Sequence, residues 1–379
     1  MDLRIMRNLV SILFVLTLLA MGCASKKPLA NEGVSSSKQA KNVILLIGDG
    51  MGLAQMSTPF YFSEEPVQFS RFTTVGLHQN EPTSHKITDS AAGATAFSTG
   101  YKTFNGAIGV KEDSMPQKTI LEMAADRGLK TGVISTSSIT HATPASFYAH
   151  VPSRKMEEEI AAQLVLSDVD FFAGGGKKFF FHREDGQNFW NALERQGFAL
   201  DTFQWQAGKF RPLNKRHAIL PADEAMPMMT ENRGDFLPEA TEEAIKYLSQ
   251  SENGFFLVVE GSQIDWGGHA NDAEYIIQET IDFDKAVGKA LDFAEKDGQT
   301  LVVVTADHET GGFALSSVEV RRQRNYAHIE PTFSTGGHTA NLIPVLAKGP
   351  GEERFGGFMQ NNEIFGKLLA IYGWAEDAK

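Results

Sequence analysis

The chain has 379 residues, 42% hydrophobic and 22% charged, an ordinary globular balance that excludes wholesale disorder. Its formal net charge of −12 argues against nucleic-acid binding, because a phosphate backbone demands a basic face. A single cysteine excludes both an intramolecular disulfide and a cysteine-based zinc site.

At the N-terminus, Arg4 and Arg7 precede a nearly uninterrupted apolar run from Leu9 to Ala20. That run is shorter than the roughly 20 residues of a membrane span and reads as the core of an export signal. It ends at Ala20-Met21-Gly22-Cys23, so the lone cysteine sits where a signal would be cut. The segment resembles a bacterial lipoprotein signal, with Ala20 where Leu is usual. Residues 1–22 are therefore expected to be a signal peptide, and Cys23 to be lipidated and to open a flexible tether over 23–40, rich in Ser, Lys and Ala. A single folded domain is expected over 41–379. Loss of Met1 to Gly22 removes Asp2, Arg4 and Arg7, leaving a net charge of about −13. The protein is expected to be exported and anchored in a bacterial membrane, facing the periplasm or the cell surface.

From Lys41 onward, short apolar runs alternate with helical patterns. Asn42 to Ile47, Thr131 to Ser135, Asp168 to Phe172, Phe255 to Val259 and Leu301 to Thr305 read as strands buried on both faces. Helices are expected at Ser90 to Phe97, Thr119 to Ala125, Met156 to Leu166, Pro238 to Leu248 and Ala273 to Ala294. The alternation predicts an α/β fold with a largely parallel central sheet flanked by helices on both faces. The Phe- and Gly-rich stretch after Gly174 reads as a plain turn rather than a phosphate-cradling loop, since no Lys-Ser or Lys-Thr completes a P-loop.

Three of the apolar strands run into ionisable residues. The first leads to Asp49, the second to Glu260 with Asp265 and His269 close behind, and the third to Asp307, His308 and Glu309. Ligands of open α/β sheets bind beyond the carboxyl ends of parallel strands. Crowding these acids at one edge would cost several kcal/mol unless cations neutralise them. Mixed Asp and His ligands suit zinc, whereas all-oxygen ligands suit magnesium. Gly267 and Gly268 lie between Asp265 and His269, so a loop is expected there rather than a helix. His338 lies in a glycine-loosened segment and, taken alone, reads as a loop histidine.

The segment from Asp89 to Ala96 reads as an N-cap followed by an Ala-rich helix, which places Ser90 at a helix N-terminus. Free N–H groups and the positive dipole end there suit a phosphate. Without context, Ser90 is simply part of the cap.

Together the segments resemble one family. IGDGMG at 47–52, TDSAAGATAFSTG at 88–100, HATPASFYAHVPSRK at 141–155, VEGSQIDWGGHAND at 259–272, TADHETGG at 305–312 and GGHT at 336–339 are similar, in the same order, to alkaline phosphatases. The resemblance implies a three-layer α/β sandwich and a phosphate monoester hydrolase. It implies Ser90 as a nucleophile that becomes phosphorylated. Asp265, His269 and His338 are implied to hold one zinc ion, and Asp49, Asp307 and His308 a second. Asp49 is implied to bridge to a third site, with Thr143 and Glu260, that holds magnesium. Arg154 is implied to grip two phosphate oxygens, and Asp89 to position it. His141 stands where some bacterial members have Asp, and Trp266 where some have Lys; both are implied to lie near the substrate phosphate or the third metal. A homodimer acting on small phosphate monoesters, with no nucleic-acid partner, is the expected assembly. The runner-up is a phosphodiesterase of the same superfamily. A sulfatase is disfavoured because Ser90 is followed by Ala-Ala-Gly and not by the Pro and Arg of that signature.

Overall fold

The structure, a computed structural model, describes residues 39–206, 212–320 and 323–374. The expected signal peptide, Cys23 and the tether up to residue 38 lie outside the described residues. Ala40 is buried and its N–H donates to the Ile371 carbonyl, so the chain has entered the folded unit by the last residue of the stretch read as a tether.

One sheet organises the domain. Its strands are β1 (Asn42–Gly48), β2 (Thr74–Gln79), β3 (Lys130–Ser138), β4 (Phe171–Gly175), β5 (Phe198–Asp201), β6 (Arg216–Ile219), β7 (Phe255–Gly261), β8 (Thr300–Thr305), β9 (Ile343–Lys348) and β10 (Gly357–Gln360). They lie in the order β10-β2-β9-β8-β1-β7-β3-β4-β6-β5. Only β9 runs antiparallel to its neighbours, β8 and β2; every other pairing in the sheet is parallel. The chain is therefore an α/β sandwich with a large, mostly parallel sheet, as the strand–helix alternation predicts.

The sheet is buried on both faces, which is why its central strands read as continuous apolar runs. Val43, Leu45 and Ile47 of β1 point into one core layer, and Ile44 and Leu46 into the other. The first layer is closed by α1 (Ser90–Thr99), α2 (Ile120–Asp126) and α3 (Glu157–Leu166), the second by α4 (Phe236–Leu248). Next come α5 (Gln263–Ala270), α6 (Ala273–Asp297) on the second layer and α7 (Glu363–Tyr372) on the first. Thr119 and Glu122 form a capping box that starts α2. Among the described residues no helix is long and apolar enough to cross a membrane.

Three expectations need correction. The strand expected over Asp168 to Phe172 runs instead over Phe171–Gly175; Asp170 already bonds through its backbone to Thr131 and His217, while Asp168 uses its carbonyl to accept from the Thr131 hydroxyl. The segment from Asp265 to His269 is not a loop but part of α5. A Cβ on Gly268 would lie 2.8 Å from the Thr310 carbonyl oxygen, so glycine there serves close packing and not a break in the helix. His338 is not in a free loop either: His338 and Thr339 pair antiparallel with Glu309 and Thr310. Of the glycines after Phe172, Gly174 and Gly175 end β4, where a Cβ on Gly175 would come 1.8 Å from the Glu224 carbonyl oxygen, and Gly176 turns the chain with a φ of 94°.

Two helical glycines should respond with opposite sign to the same change. Gly268→Ala should cost about 1–3 kcal/mol through overpacking against Thr310. Gly366→Ala, in α7 with nothing within 4 Å of the added methyl, should stabilise by about 0.5–1 kcal/mol. Urea unfolding of both variants checks this; a loss for Gly366→Ala would contradict the open space around it.

Candidate active site

Three adjacent strands, β8, β1 and β7, deliver acids to one edge. Ile47 is level with Glu260 on one side and with Thr305 on the other, so Asp49, Glu260 and Asp307 emerge together at the carboxyl ends of their strands. All three are fully buried. Asp307 uses Oδ1 to accept from the N–H groups of Gly50 and His308, and Glu260 uses Oε2 to accept from the hydroxyls of Ser135 and Ser262, each at 2.6 Å. Their other oxygens, Asp307 Oδ2 and Glu260 Oε1, are buried with no hydrogen-bond partner. Each of these two carboxylates is thus held by one oxygen and bare at the other.

The histidines repeat the pattern. His269 Nδ1 lies 2.8 Å from the Gly336 carbonyl, and His338 Nδ1 lies 2.8 Å from the Thr88 carbonyl. Carbonyls only accept, so both rings carry the proton on Nδ1 and turn an Nε2 lone pair inward. These two Nε2 atoms lie 3.1 Å apart, and neither can donate to the other. Asp265 completes the group, its Oδ2 3.4 Å from His269 Nε2 and its Oδ1 3.5 Å from His338 Nε2. His308 stacks on His338 with ring centroids 3.5 Å apart and points Nε2 at Asp49 Oδ1, at 3.4 Å, and Asp307 Oδ2, at 3.3 Å.

Electron-rich atoms facing one another are costly where they are buried, as at Asp49, Glu260 and Asp307, and cations relieve that cost. Three groups could hold them, each with its ligand atoms within 4.8 Å of one another: Asp265, His308 and His338; Asp49, Asp307 and His308; and Asp49, His141 and Glu260. Thr143 Oγ1 lies 3.5 Å from Asp49 Oδ2, beside the third group. The bare oxygens and inward nitrogens fit metal ions. The two histidines and one carboxylate of the first group suit zinc; the second and third each offer two carboxylates and one histidine, and Thr143 adds to the third an oxygen that suits magnesium.

The titration of these groups carries the same message. Burial, then the charges of Asp307, Asp265 and Glu260, pushes the Asp49 carboxyl well above the usual range. Burial also raises Glu260 and Asp307. It holds His308 well below its ordinary value, and His141 is driven down to about 3 by burial and the nearby Arg154.

Ser90 opens α1, where Asp89 caps the helix by accepting from the Ala92 N–H. Its hydroxyl lies 3.2 Å from His308 Nε2 and 3.5 Å from Asp49 Oδ1. The small side chains of α1 let the helix sit buried against the acids, with Gly93 close to Asp307. Arg154 reaches the same place, donating from Nη1 to Asp89 Oδ2 at 3.1 Å and from Nη2 to His141 Nε2 at 2.9 Å. Trp266 meets the His141 ring edge-on. His141 therefore stands both beside the third metal group and against Arg154. Glu309 turns away from the site and accepts from Gln55, the Phe313 N–H and Thr339. Sequence reasoning missed Ser135 and Ser262, whose hydroxyls have no periodicity, and Thr310, which lay unread inside the TADHETGG segment.

The alkaline phosphatase family model matches residues 40–330. The chain belongs to the alkaline phosphatase family. It is 34% identical to alkaline phosphatase 3 of Bacillus subtilis, covering 91% of this chain and 92% of that one. It is 36% identical to the alkaline phosphatase of Escherichia coli, over 89% and 87% of the two chains. Among solved structures, the alkaline phosphatase of the Antarctic bacterium TAB5 matches with a TM-score of 0.87 and 52% identity, covering 89% of this chain and 99% of that one. A variant of that enzyme, with a histidine replaced by aspartate, has magnesium bound in a site called M3. Alkaline phosphatases are metal-dependent phosphoric monoester hydrolases, and that is the activity class of this chain.

Metal binding should release protons. A carboxyl whose pKa is raised in the fold adds stability below its unfolded value and loses it as pH rises toward the folded value; a metal ion reverses this by favouring the ionised form. Calorimetric zinc and magnesium titrations of stripped protein near pH 6, in buffers of different ionisation enthalpy, should show net proton release that grows as pH falls. Zero release would mean the acids are already ionised without metal.

Proposed function

We propose that this enzyme hydrolyses phosphate monoesters through a phosphoserine intermediate on Ser90, with two zinc ions and one magnesium ion. The observation that carries this reading is the Ser90 hydroxyl, held at a helix N-terminus within hydrogen-bond reach of the inward ligand atoms of Asp49 and His308. Asp265, His269 and His338 would hold one zinc ion, Asp49, Asp307 and His308 the other, and Asp49, Thr143 and Glu260, with His141 alongside, the magnesium ion. Such ions, when bound, make a serine hydroxyl and a water nucleophilic near neutral pH and stabilise charge on the attacking and leaving oxygens.

The chain's own residues do the rest. The first-turn N–H groups of α1 that the Asp89 cap does not take would face the transferred phosphate together with the guanidinium of Arg154. Asp89 and His141 grip Arg154 from two sides and set its planar fork in advance. Ser90 Oγ gives up its proton and bonds to phosphorus as the ester oxygen leaves; water then attacks the phosphoserine, and inorganic phosphate departs as Ser90 regains its proton. Cleavage after Gly22, lipid attachment at Cys23, tethering through residue 40 and pairing of two copies complete the proposal. The N-terminal pattern supports the anchor, and the family supports the dimer.

Hydrolysis of an aryl phosphate monoester and its matching diester at alkaline pH, before and after metal stripping, tests the reading. Monoester preference that vanishes on stripping and returns with zinc and magnesium is expected; diester preference would favour the phosphodiesterase alternative. Ser90→Ala should abolish turnover while leaving zinc content intact, and near-wild-type turnover would remove Ser90 as nucleophile. Arg154→Ala should cost about 2 kcal/mol in transition-state terms, roughly 30-fold in kcat/KM, on monoesters and far less on diesters. Equal loss on both substrates would contradict its role on the phosphate.

A further inference from the structure

The inward nitrogens of His269 and His338 are fixed by backbone carbonyls, but His308 is held differently. Its Nδ1 faces the Thr310 hydroxyl at 3.1 Å. A hydroxyl can donate or accept, so this contact alone does not orient the ring. Asp265 decides the matter. Thr310 Oγ1 also hydrogen-bonds Asp265 Oδ1, and an ionised carboxylate only accepts. The one hydroxyl proton therefore goes to Asp265, and the oxygen lone pair is left for a proton on His308 Nδ1. The His308 Nε2 lone pair then points inward, toward Asp49, Asp307 and Ser90.

The hydroxyl is well placed for this. Thr310 is fully buried, so bulk water does not compete for its hydrogen bonds. Its N–H donates to the Gly50 carbonyl and its carbonyl accepts from Gln55 Nε2, fixing the backbone from both sides. Gly268 packs on it so closely that a Cβ there would meet the Thr310 side chain at 2.9 Å.

We infer that Thr310 is a positioning residue whose single hydroxyl orients His308 and Asp265 together, tying the first zinc group to the second. This rests on the three-metal reading above. The hydroxyl touches no ligand that belongs to the magnesium group alone, so its loss should fall on the zinc groups. Partners that orient first ligands typically contribute 10–100-fold in metal affinity.

The test compares the full chain with Thr310→Val, which keeps the shape and removes the hydroxyl, and Thr310→Ser, which keeps the hydroxyl. Zinc affinity is read by competition with a chromophoric chelator, magnesium affinity by separate titration, and the His308 tautomer by nitrogen NMR of the imidazole rings. Thr310→Val should weaken both zinc steps by about 10–100-fold, move magnesium binding much less and leave His308 with mixed tautomers; Thr310→Ser should stay near wild type. Should the Val variant fail to fold, Thr310→Ala, which removes the hydroxyl without adding a metal ligand, gives the same readout. Wild-type zinc affinities in the hydroxyl-free variant, loss at one zinc step only, equal loss at all three metal sites, or a Ser variant as weak as the Val variant would each overturn the inference. A wild-type chain that takes up no zinc would overturn the three-metal reading itself, a separate and recognisable result.

Discussion

The arrangement depends on one electrostatic constraint: lone pairs are made to face lone pairs, at buried carboxylates and at the exposed His269 beside them. His269 and His338 turn their Nε2 atoms to within 3.1 Å of each other because two backbone carbonyls take their other protons. Asp307 and Glu260 each spend one oxygen on hydrogen bonds from the protein and leave the other bare. Taking a charge out of water costs several kcal/mol even after relaxation, against a typical net stability of about 5–15 kcal/mol. A fold that keeps such a centre without cations does so at a large fraction of its stability, and the upward displacement of Asp49, Glu260 and Asp307 expresses that cost as protonation.

The scaffold around the centre is correspondingly rigid. Strands β8, β1 and β7 are buried over their whole length, which fixes the height at which their acids emerge. Helix α5, which carries Asp265 in its first turn and His269 in its last, is pinned at its start by Gln263, which donates to the Thr136 and Met226 carbonyls and accepts from the Tyr275 hydroxyl. Asn80 holds the Asp307 carbonyl from the far side. Ligand geometry of this kind comes from packing and backbone hydrogen bonding in the layer behind the ligands, and less from the ligands themselves.

What could be read from the sequence follows from how each part is stabilised. Strands buried on both faces announce themselves as β-branched runs, and α6 by its long amphipathic period, so the sheet centre and its acids were legible. Strands β2, β9 and β10 were not, because they mix exposed and buried positions or, in β9, carry Pro344. The hairpin of Ala314–Val320 and Gln323–Thr332 lacks a continuous apolar run altogether. Helix α5 was misread because Gly267 and Gly268 lower intrinsic helix propensity, while the tertiary contact with Ile276 and Thr310 that demands them is invisible in one dimension. The metal-group residues were found through acids following strands and through family motifs. The hydroxyls behind them, Ser135, Ser262 and Thr310, acquire meaning only when strand register brings them to a carboxylate or an imidazole.

Charge balance links this architecture to the substrate. On the proposed loading, three divalent ions meet the carboxylates of Asp49, Glu260, Asp265 and Asp307, and the centre retains net positive charge. Arg154 adds a further cation, but Asp89 pairs with it at 3.1 Å and His141 accepts from its other terminal nitrogen, so its fork is oriented and its field moderated before any ligand arrives. A monoester phosphate carries two negative charges near neutral pH and a diester one, so a centre with this surplus favours the dianion electrostatically. On the same proposed reading, His141 bears on that selection too. It stays neutral, driven down to about 3 by burial and Arg154, and so accepts from the guanidinium at every working pH instead of competing with it for the phosphate. The same position that brings it beside Asp49 and Glu260 thus keeps the Arg154 fork in place.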